Sequence, residues 1–138
     1  MNTPAINTRV VLVNRPAGIA QAGDFAIVEA PVPELARGEI LVRNNYLSVD
    51  PAMRGWIADA GNYAPPVAIG DVMRSLCSGE VVASCNPDYS VGEYVTGWFG
   101  WQDYAAVGAD LIVQRTSPAE AKMTLGILGL NGMTALLA

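Results

Sequence analysis

The sequence predicts a mainly β domain, a small antiparallel barrel or sandwich, followed by a helical tail. Short apolar runs rich in valine and isoleucine recur before residue 117 and are separated by glycine, proline and asparagine. After Ser117 the apolar residues take helical spacing instead. The chain has 138 residues, of which 51% are hydrophobic, so it is long enough for one domain with a hydrophobic core.

The predicted strands follow one another at short intervals, which is typical of antiparallel barrels. In the third run, EILVRNNYLSV, alternation places Ile40 and Val42 on one face. The fourth run holds one long or two short strands, with Gly79 as a candidate bulge. The runs occupy residues 9–14, 25–33, 39–49, 72–85, 94–108 and 110–115.

The tail from residue 117 onwards carries the signals of a helix start. The segment SPAE (117–120) offers an N-cap serine, a first-turn proline and an early acid. Asn131-Gly132 predicts the end of this helix, and Thr134 is then the N-cap of another. We therefore expect a β domain over 1–117 and a connecting helical segment over 118–138. The face of the first helix is formed by Ala121, Leu125 and Leu128.

Composition and charge exclude several classes of partner. The formal net charge is −5, and the eight basic residues are scattered, which argues against nucleic acid and anionic membranes. No apolar run approaches the roughly 18 residues that a membrane span requires. The start of the chain has no basic segment followed by an apolar signal core, so we expect a cytoplasmic protein.

The chemistry available to the chain is limited by its lack of histidine. Without imidazole, Ser-His and Cys-His nucleophile pairs and histidine zinc sites are impossible. Cys77 and Cys85 are too few to predict zinc, and their placement on one strand does not favour a disulfide. We expect no metal.

The segment NNYLSVDPAMRGW (44–56) places an acid, a base and an aromatic side chain on one tight corner. Asp-Pro turns are common, so this corner is either a structural turn or a ligand-facing one. Within it, YLSVDPAMRGW resembles the YLSVDPYMRG signature of the zinc-independent medium-chain dehydrogenase/reductases. That family includes prostaglandin reductases, plant alkenal double-bond reductases and bacterial curcumin reductase. Further matching segments follow in the same order: NYAPPVAIGDVM (62–73), GEVVASCNPDYSVGEYVTGWFGWQDYAAV (79–107) and LGILGLNGMTA (125–135).

The resemblance implies a GroES-like antiparallel β-barrel on the substrate side of a two-domain enzyme. It also implies a Rossmann domain that holds NADPH, and the G-x-G-x-x-G fingerprint of such a domain does not occur in this chain. The tail ends on an apolar half-helix, from which we expect the front part of a longer protein. Without the cofactor domain we expect this chain to be inactive, and the resemblance implies that the whole enzyme is a homodimer. The implied reaction is NADPH-dependent reduction of the C=C bond of an α,β-unsaturated carbonyl compound, an enone or alkenal. A quinone oxidoreductase of the same superfamily and a non-catalytic GroES-like module remain alternatives.

The resemblance also implies which residues meet the cofactor. Pro51 and Met53 would contact the nicotinamide ring, and Thr134 its carboxamide, with Asn131 beside it. Ala52 stands where the family usually has a tyrosine whose hydroxyl donates to the substrate carbonyl. We therefore expect a larger and less polar substrate pocket, and no side chain of this chain is predicted to be catalytic.

The remaining predicted substrate contacts lie on loops after the corner. Tyr63 either anchors the Pro-Pro loop or forms the mouth of the site, and Met73 lies where plant relatives carry a tyrosine nearby. Trp98 or Phe99 is expected to edge the cleft. Arg74 is predicted to be a surface residue paired with an acid, with contact to a substrate carboxylate as the alternative.

Overall fold

The computed structural model describes residues 6–59 and 63–138, and the regular structure in these ranges is mainly seven antiparallel β-strands. The mainly β fold class is confirmed. The helices described are the short α1, Met53–Trp56, and α2, Leu130–Leu137, with 3-10 turns at Ala22–Asp24, Ala109–Leu111 and Met123–Leu125. The strands are β1 Ile6–Leu12, β2 Phe25–Pro31, β3 Ile40–Leu47, β4 Leu76–Ser84, β5 Tyr94–Trp98, β6 Tyr104–Val107 and β7 Ile112–Thr116.

The strands form two sheets that are joined at their edges. One sheet has five strands in the order β6-β3-β4-β5-β7, and β1 and β2 form the other. Val10 in β1 donates its backbone N–H to Trp101 O over 2.8 Å and accepts from Met73 N over 2.9 Å. These bonds tie the small sheet to the segments that lead into β4 and β6 of the large one.

Strand β3 is central because β6 and β4 pair with it on either side. Ile40 and Val42 are fully buried, as their alternation predicts. Leu41, on the opposite face, is also buried at 4% exposure. The first half of β3 is therefore covered on both faces, which a strand with one solvent-facing side would not be.

The pairing of β3 with β4 has two register irregularities, one at Val82 in β4 and one in β3, and neither lies at Gly79 itself. Asn44 pairs with Gly79 and Tyr46 with Ser78, so Asn45 is the extra residue. Gly79 is required for a different reason, since a Cβ atom at this position would lie 2.2 Å from the backbone oxygen of Arg43. The glycine therefore lets the two strands approach where β3 bends.

Two apolar clusters fill the interior. The first, which we call the sheet cluster, is formed by side chains of the large sheet and of the residue that follows β5. It consists of Ile40, Val42, Cys77, Val81, Val95, Phe99, Ala105 and Val107. The second, the corner cluster, lies below the segment 50–57 and consists of Leu12, Met53, Trp56, Ile57, Val67 and Met73.

The predicted helix between Ser117 and Asn131 is wrong. The backbone N–H of Ala121 reaches Ser117 O over 2.8 Å, but only turns and the 3-10 turn around Thr124 follow. The Thr124 hydroxyl lies 2.6 Å from that of Thr96 in β5, which holds this segment against the sheet. Gly129 then approaches so closely that a Cβ atom would lie 2.0 Å from Thr124 O. Attachment to the barrel and a glycine-dependent close approach thus replace the regular helix.

The predicted stop at Asn131-Gly132 is also wrong, because both residues lie inside α2. Thr134 is therefore not an N-cap. Its hydroxyl donates back to Leu130 O over 2.8 Å, as mid-helix threonines often do. The domain boundary at residues 117 and 118 stays a prediction.

Among the described residues, no helix is long and apolar enough to cross a membrane. The two cysteines are free thiols, Cys77 buried in β4 and Cys85 exposed just after it. Burial raises the pKa of the Cys77 thiol from 9.0 to about 12, against the lowering effect of hydrogen bonds from its neighbours. Cys77 is therefore an inert core residue at neutral pH.

Candidate functional site

The corner at residues 48–56 is held in place by bonds from the barrel. Where β3 ends, the backbone N–H of Ser48 donates to Leu76 O over 2.9 Å. The carbonyl oxygen of Ser48 accepts the hydroxyl of Ser75 at 2.8 Å and the indole N–H of Trp101 at 3.1 Å. These hydrogen bonds therefore fix the position of Ser48, where the chain enters the corner.

Asp50 and Pro51 turn the chain into α1. The Asp50 carboxylate accepts a short hydrogen bond from the Ser48 hydroxyl, and its backbone oxygen accepts the N–H of Met53 at 3.0 Å. The thioether of Met53 lies 3.5 Å from the Asp50 backbone N–H. These hydrogen bonds are those of a structural turn. Pro51 and Ala52 remain exposed on the outer side of the corner. The corner is thus both a turn and an accessible surface.

A cavity of about 260 Å³ opens beside this outer side. Its walls come from four parts of the chain: the corner, the loop residue Tyr63, the strands β4 and β5, and the segment from Leu125 to the first turn of α2. The lining is mostly apolar with a few polar groups, which is typical of small-molecule sites. The lining residues are Asp50, Pro51, Ala52, Trp56, Tyr63, Leu76, Trp98, Leu125, Leu130 and Asn131.

Aromatic side chains form one wall of the cavity. Trp56 and Trp98 meet edge to face, with ring centroids 5.8 Å apart and planes at 72°. The Trp56 indole N–H donates to the Tyr63 hydroxyl oxygen over 3.1 Å. On the same indole lies the guanidinium of Arg74, 5.7 Å from the ring centroid. Arg74 thus makes a cation–π contact, and the expected pairing of Arg74 with an acid is not among the described ion pairs.

The cavity extends under the start of α2. A second space of about 160 Å³ shares Leu76, Trp98 and Leu130 with the first. Its other walls include Val113 and Met133, so its lining is also largely apolar. The two spaces thus share part of their walls, and both linings are largely apolar.

The cavity contains five of the residues predicted from sequence. Pro51, Ala52, Tyr63, Trp98 and Asn131 all line it, although they are up to 80 positions apart in the chain.

Three predicted site residues lie elsewhere. Met53 is buried in the corner cluster at 6% exposure, and Met73 at 1%. Thr134 is exposed on α2 with its hydroxyl bonded inside the helix. Phe99, the alternative to Trp98 at the cleft edge, is buried in the sheet cluster. The structure thus does not bring these side chains to the cavity, and their roles stay predictions.

Sequence reasoning missed the apolar far wall formed by Leu76, Leu125 and Leu130. These leucines belong to no recognisable motif. Leu125 and Leu130 were expected within the regular helix predicted between Ser117 and Asn131. It also assigned no role to Trp56, whose indole N–H donates to the Tyr63 hydroxyl. The close spacing of two aromatic residues in WIADAGNY was the available signal.

Charged groups are sparse around the cavity. The ion pairs described are Arg43–Glu80 at 2.7 Å and Arg115–Glu93 at 3.5 Å, both between residues outside the lining. Within residues 6–59 and 63–138, no group of three or more histidine, cysteine or acidic side chains could hold a metal ion. The chemistry this wall can offer is therefore apolar packing and hydrogen bonding from a few fixed donors.

The comparison with known protein families matches residues 8–114, which cover the barrel and its corner, to the N-terminal domain of oxidoreductases. The chain belongs to this family. Its relatives place it among the zinc-independent medium-chain dehydrogenase/reductases, as the corner signature predicts.

Two relatives illustrate this placement. The NADPH-dependent curcumin reductase of Escherichia coli (strain K12) is 42% identical over 130 residues, which cover 94% of this chain and 38% of that protein. The NADP(+)-dependent 2-alkenal reductase of Nicotiana tabacum is 29% identical over 136 residues, 94% of this chain and 39% of that protein. The chain thus spans about two fifths of the length of these relatives.

Solved structures agree with this assignment. The crystal structure of CurA from Vibrio vulnificus matches with a TM-score of 0.88 and 41% identity, over 95% of this chain and 39% of that one. The structure of CurA in complex with NADPH matches with a TM-score of 0.86 and 40% identity, over 94% and 39%. The barrel therefore has the architecture of the N-terminal, GroES-like part of this oxidoreductase family.

Proposed function

We propose that a protein carrying this domain beside a cofactor-binding domain reduces the C=C bond of α,β-unsaturated carbonyl compounds with NADPH. The observation that carries the proposal is the apolar cavity, because it gathers the corner residues Pro51 and Ala52 with Tyr63, Trp98 and Asn131. The names of the relatives, a curcumin reductase and a 2-alkenal reductase, support the same class of substrate.

The cavity suits a flat, conjugated and largely apolar substrate. Trp98 and Leu130 provide broad apolar contact, and Ala52 contributes only a methyl group at the corner. Exclusion of water from this space would strengthen every polar contact made within it. When bound, NADPH supplies a hydride to the β-carbon of the substrate. Negative charge then develops on the carbonyl oxygen, where a positioned donor contributes about 3 kcal/mol to lowering the barrier.

The residues present fit one end of NADPH. Pro51 and Asn131 both line the cavity and would contact the nicotinamide ring. Met53 would contribute indirectly, because its buried side chain packs in the corner cluster and supports the turn that presents Pro51. The phosphates would have to bind elsewhere, since the chain has a net charge of −5 and only eight basic residues. We therefore propose that most of the cofactor affinity belongs to a second domain.

The test compares substrates on the protein expressed from the complete reading frame. NADPH oxidation is followed with benzylideneacetone, with its saturated product 4-phenylbutan-2-one as the control, and with menadione. Conversion of benzylideneacetone to 4-phenylbutan-2-one, verified by gas chromatography, is the expected result. Turnover of menadione alone would favour the quinone reductase alternative. No turnover of either compound would favour a binding module.

A further inference from the structure

The charge of the cavity beside the corner comes from one residue. Among the described lining residues, Asp50 is the one with an acidic or basic group that is charged in its ordinary form at neutral pH, and neither of the described ion pairs includes it. Trp56 and Trp98 also line the cavity, and indole rings have electron-rich faces that attract cations. We propose that Asp50, together with these indoles, makes the cavity prefer a positively charged nicotinamide ring over a neutral one, an inference that rests on the proposed function.

The Asp50 carboxylate is held in position by the barrel. Its Oδ2 atom accepts a hydrogen bond from the hydroxyl of Ser48, which is 8% exposed. The backbone of Ser48 is in turn bonded to Leu76 O and to the Ser75 hydroxyl. Asp50 itself is half-buried, so water screens its charge only in part. A negative charge is therefore fixed at the edge of the cavity before any ligand binds.

Two arginines near the corner oppose this preference but lie outside the lining. The guanidinium of Arg74 lies 5.7 Å from the centroid of the Trp56 ring, and Arg54 is exposed on α1. Neither residue lines the cavity, whereas Asp50 does. Coulomb interaction weakens with distance, and salt screens exposed charges, so Asp50 has the larger effect on a ligand in the cavity. The Arg74 contact also shows that the Trp56 indole can hold a cation.

Such a preference assists the proposed reaction. A hydride, with its two electrons, passes from the ring to the β-carbon, so the ring is oxidised and the C=C bond is reduced. Positive charge therefore develops on the ring while negative charge develops on the carbonyl oxygen. Pro51, which we propose contacts the ring, is the neighbour of Asp50 in the chain, and both line the cavity. The Asp50 carboxylate is attracted more strongly to the developing cation than to the neutral ring, which lowers the barrier.

The experiment compares two ring compounds that differ in charge. 1-Methylnicotinamide carries the positive charge of the oxidised ring, and nicotinamide is neutral and similar in shape. Each compound is titrated into the ¹⁵N-labelled 138-residue chain, and dissociation constants are obtained from the NMR shift of the Trp98 indole N–H. The variants are Asp50→Asn, which keeps an oxygen acceptor for the Ser48 hydroxyl, and Asp71→Asn. Asp71 is a matched control, because it is exposed and does not line the cavity, while its loss changes the net charge equally.

We expect wild type and Asp71→Asn to bind 1-methylnicotinamide more tightly than nicotinamide. In Asp50→Asn the ratio of the two affinities should fall roughly five-fold, the effect of one partly screened unit charge, with an unchanged circular dichroism spectrum. Arg74→Met removes an opposing charge and should raise the ratio, and a fall would contradict the electrostatic origin of the preference. The same ratio in wild type and Asp50→Asn would overturn the inference, as would a lack of saturable binding by the wild-type chain.

The protein from the complete reading frame separates this inference from the proposed function. Dissociation constants for NADP⁺ and NADPH are measured by fluorescence titration, beside the reduction of benzylideneacetone. In Asp50→Asn the affinity for NADP⁺ relative to NADPH should fall by a similar factor, and kcat should fall with it. An unchanged affinity ratio in Asp50→Asn, with normal reduction by wild type, would overturn the Asp50 role and leave the proposed function standing. No reduction by wild type, with the ratio still lowered in Asp50→Asn, would overturn the proposed function alone.

Discussion

The sheet cluster and the corner cluster are similar in apolar character but differ in the structure that surrounds them. Apart from Phe99, which directly follows β5, the residues of the sheet cluster lie on β3, β4, β5 and β6, where the hydrogen bonds of the sheet set their positions. The corner cluster is built from the end of β1, the four-residue helix α1 and loop residues such as Val67. The candidate site lies over the corner cluster. A regular sheet thus provides stability, while irregular segments supported by it present side chains to a ligand.

This difference explains why the corner depends on side-chain contacts. Ser75 and Trp101 hold the carbonyl oxygen of Ser48, and Val67 donates its backbone N–H to Trp56 O over 2.7 Å. We therefore expect changes in the sheet cluster to affect folding, and changes at the corner to affect ligand binding first.

The largest effect is expected from the two phenylalanines of the chain. Phe99 is 2% exposed in the sheet cluster, so Phe99→Ala should lower the free energy of unfolding by about 3–5 kcal/mol. Phe25 is half-buried at the margin of the corner cluster, against Trp101 with ring centroids 5.8 Å apart. Phe25→Ala should cost roughly half as much. Urea unfolding of both variants tests the ranking, and an equal or larger loss for Phe25→Ala would contradict it.

A smaller effect is expected where β3 and β4 approach most closely. In Gly79→Ala the new Cβ atom would lie 2.2 Å from Arg43 O, so the strands must separate, at a cost of about 1–3 kcal/mol. Gly23→Ala is the matched control, because nothing lies within 4 Å of its added Cβ. Thermal unfolding should show a lower Tm for Gly79→Ala only. Equal Tm values for the two variants would mean that separating β3 and β4 costs no more free energy than adding a methyl group to an exposed loop.

At the corner, Ala52→Tyr should change ligand preference and leave the fold intact. The added ring enters the cavity, so binding of bulky enones should weaken about ten-fold relative to small ones. Ala109→Tyr, on an exposed turn away from the cavity, is the control. Tryptophan fluorescence titration with a size series of enones provides the measurement. Unchanged relative affinities would show that residue 52 does not limit the cavity.

The smallest effect concerns the two thiols. At pH 8, iodoacetamide should modify the exposed Cys85 and spare Cys77, whose burial raises its pKa to about 12. Mass spectrometry should show one label on the folded chain and two in urea. Rapid double labelling without urea would show that the sheet cluster opens as readily as the corner.

The same thiol adds a pH dependence to stability. Because the folded chain holds the Cys77 proton more tightly than the unfolded chain, this contribution is complete below pH 9 and is lost as pH rises towards 12. The free energy of unfolding of wild type should therefore fall over this range more steeply than that of Cys77→Ala.

The sequence by itself determined the mainly β fold and the location of most strands. Alternation and turn residues are local signals, and the strands β2 and β3 begin within one residue of their predicted starts. The corner was also recognisable from sequence, because YLSVDPAMRGW resembles a contiguous family signature, and the family model matches residues 8–114.

Only the tertiary structure decided the tail and the far side of the site. Helical signals after Ser117 were overridden by the contact between Thr124 and Thr96, which are 28 positions apart. The burial of Met53 and Met73, the leucine wall of the cavity and the bond from Trp56 to Tyr63 likewise depend on side chains meeting across the fold. Residue types and spacing report local preference, whereas the direction of a side chain is set by the neighbours that packing brings to it.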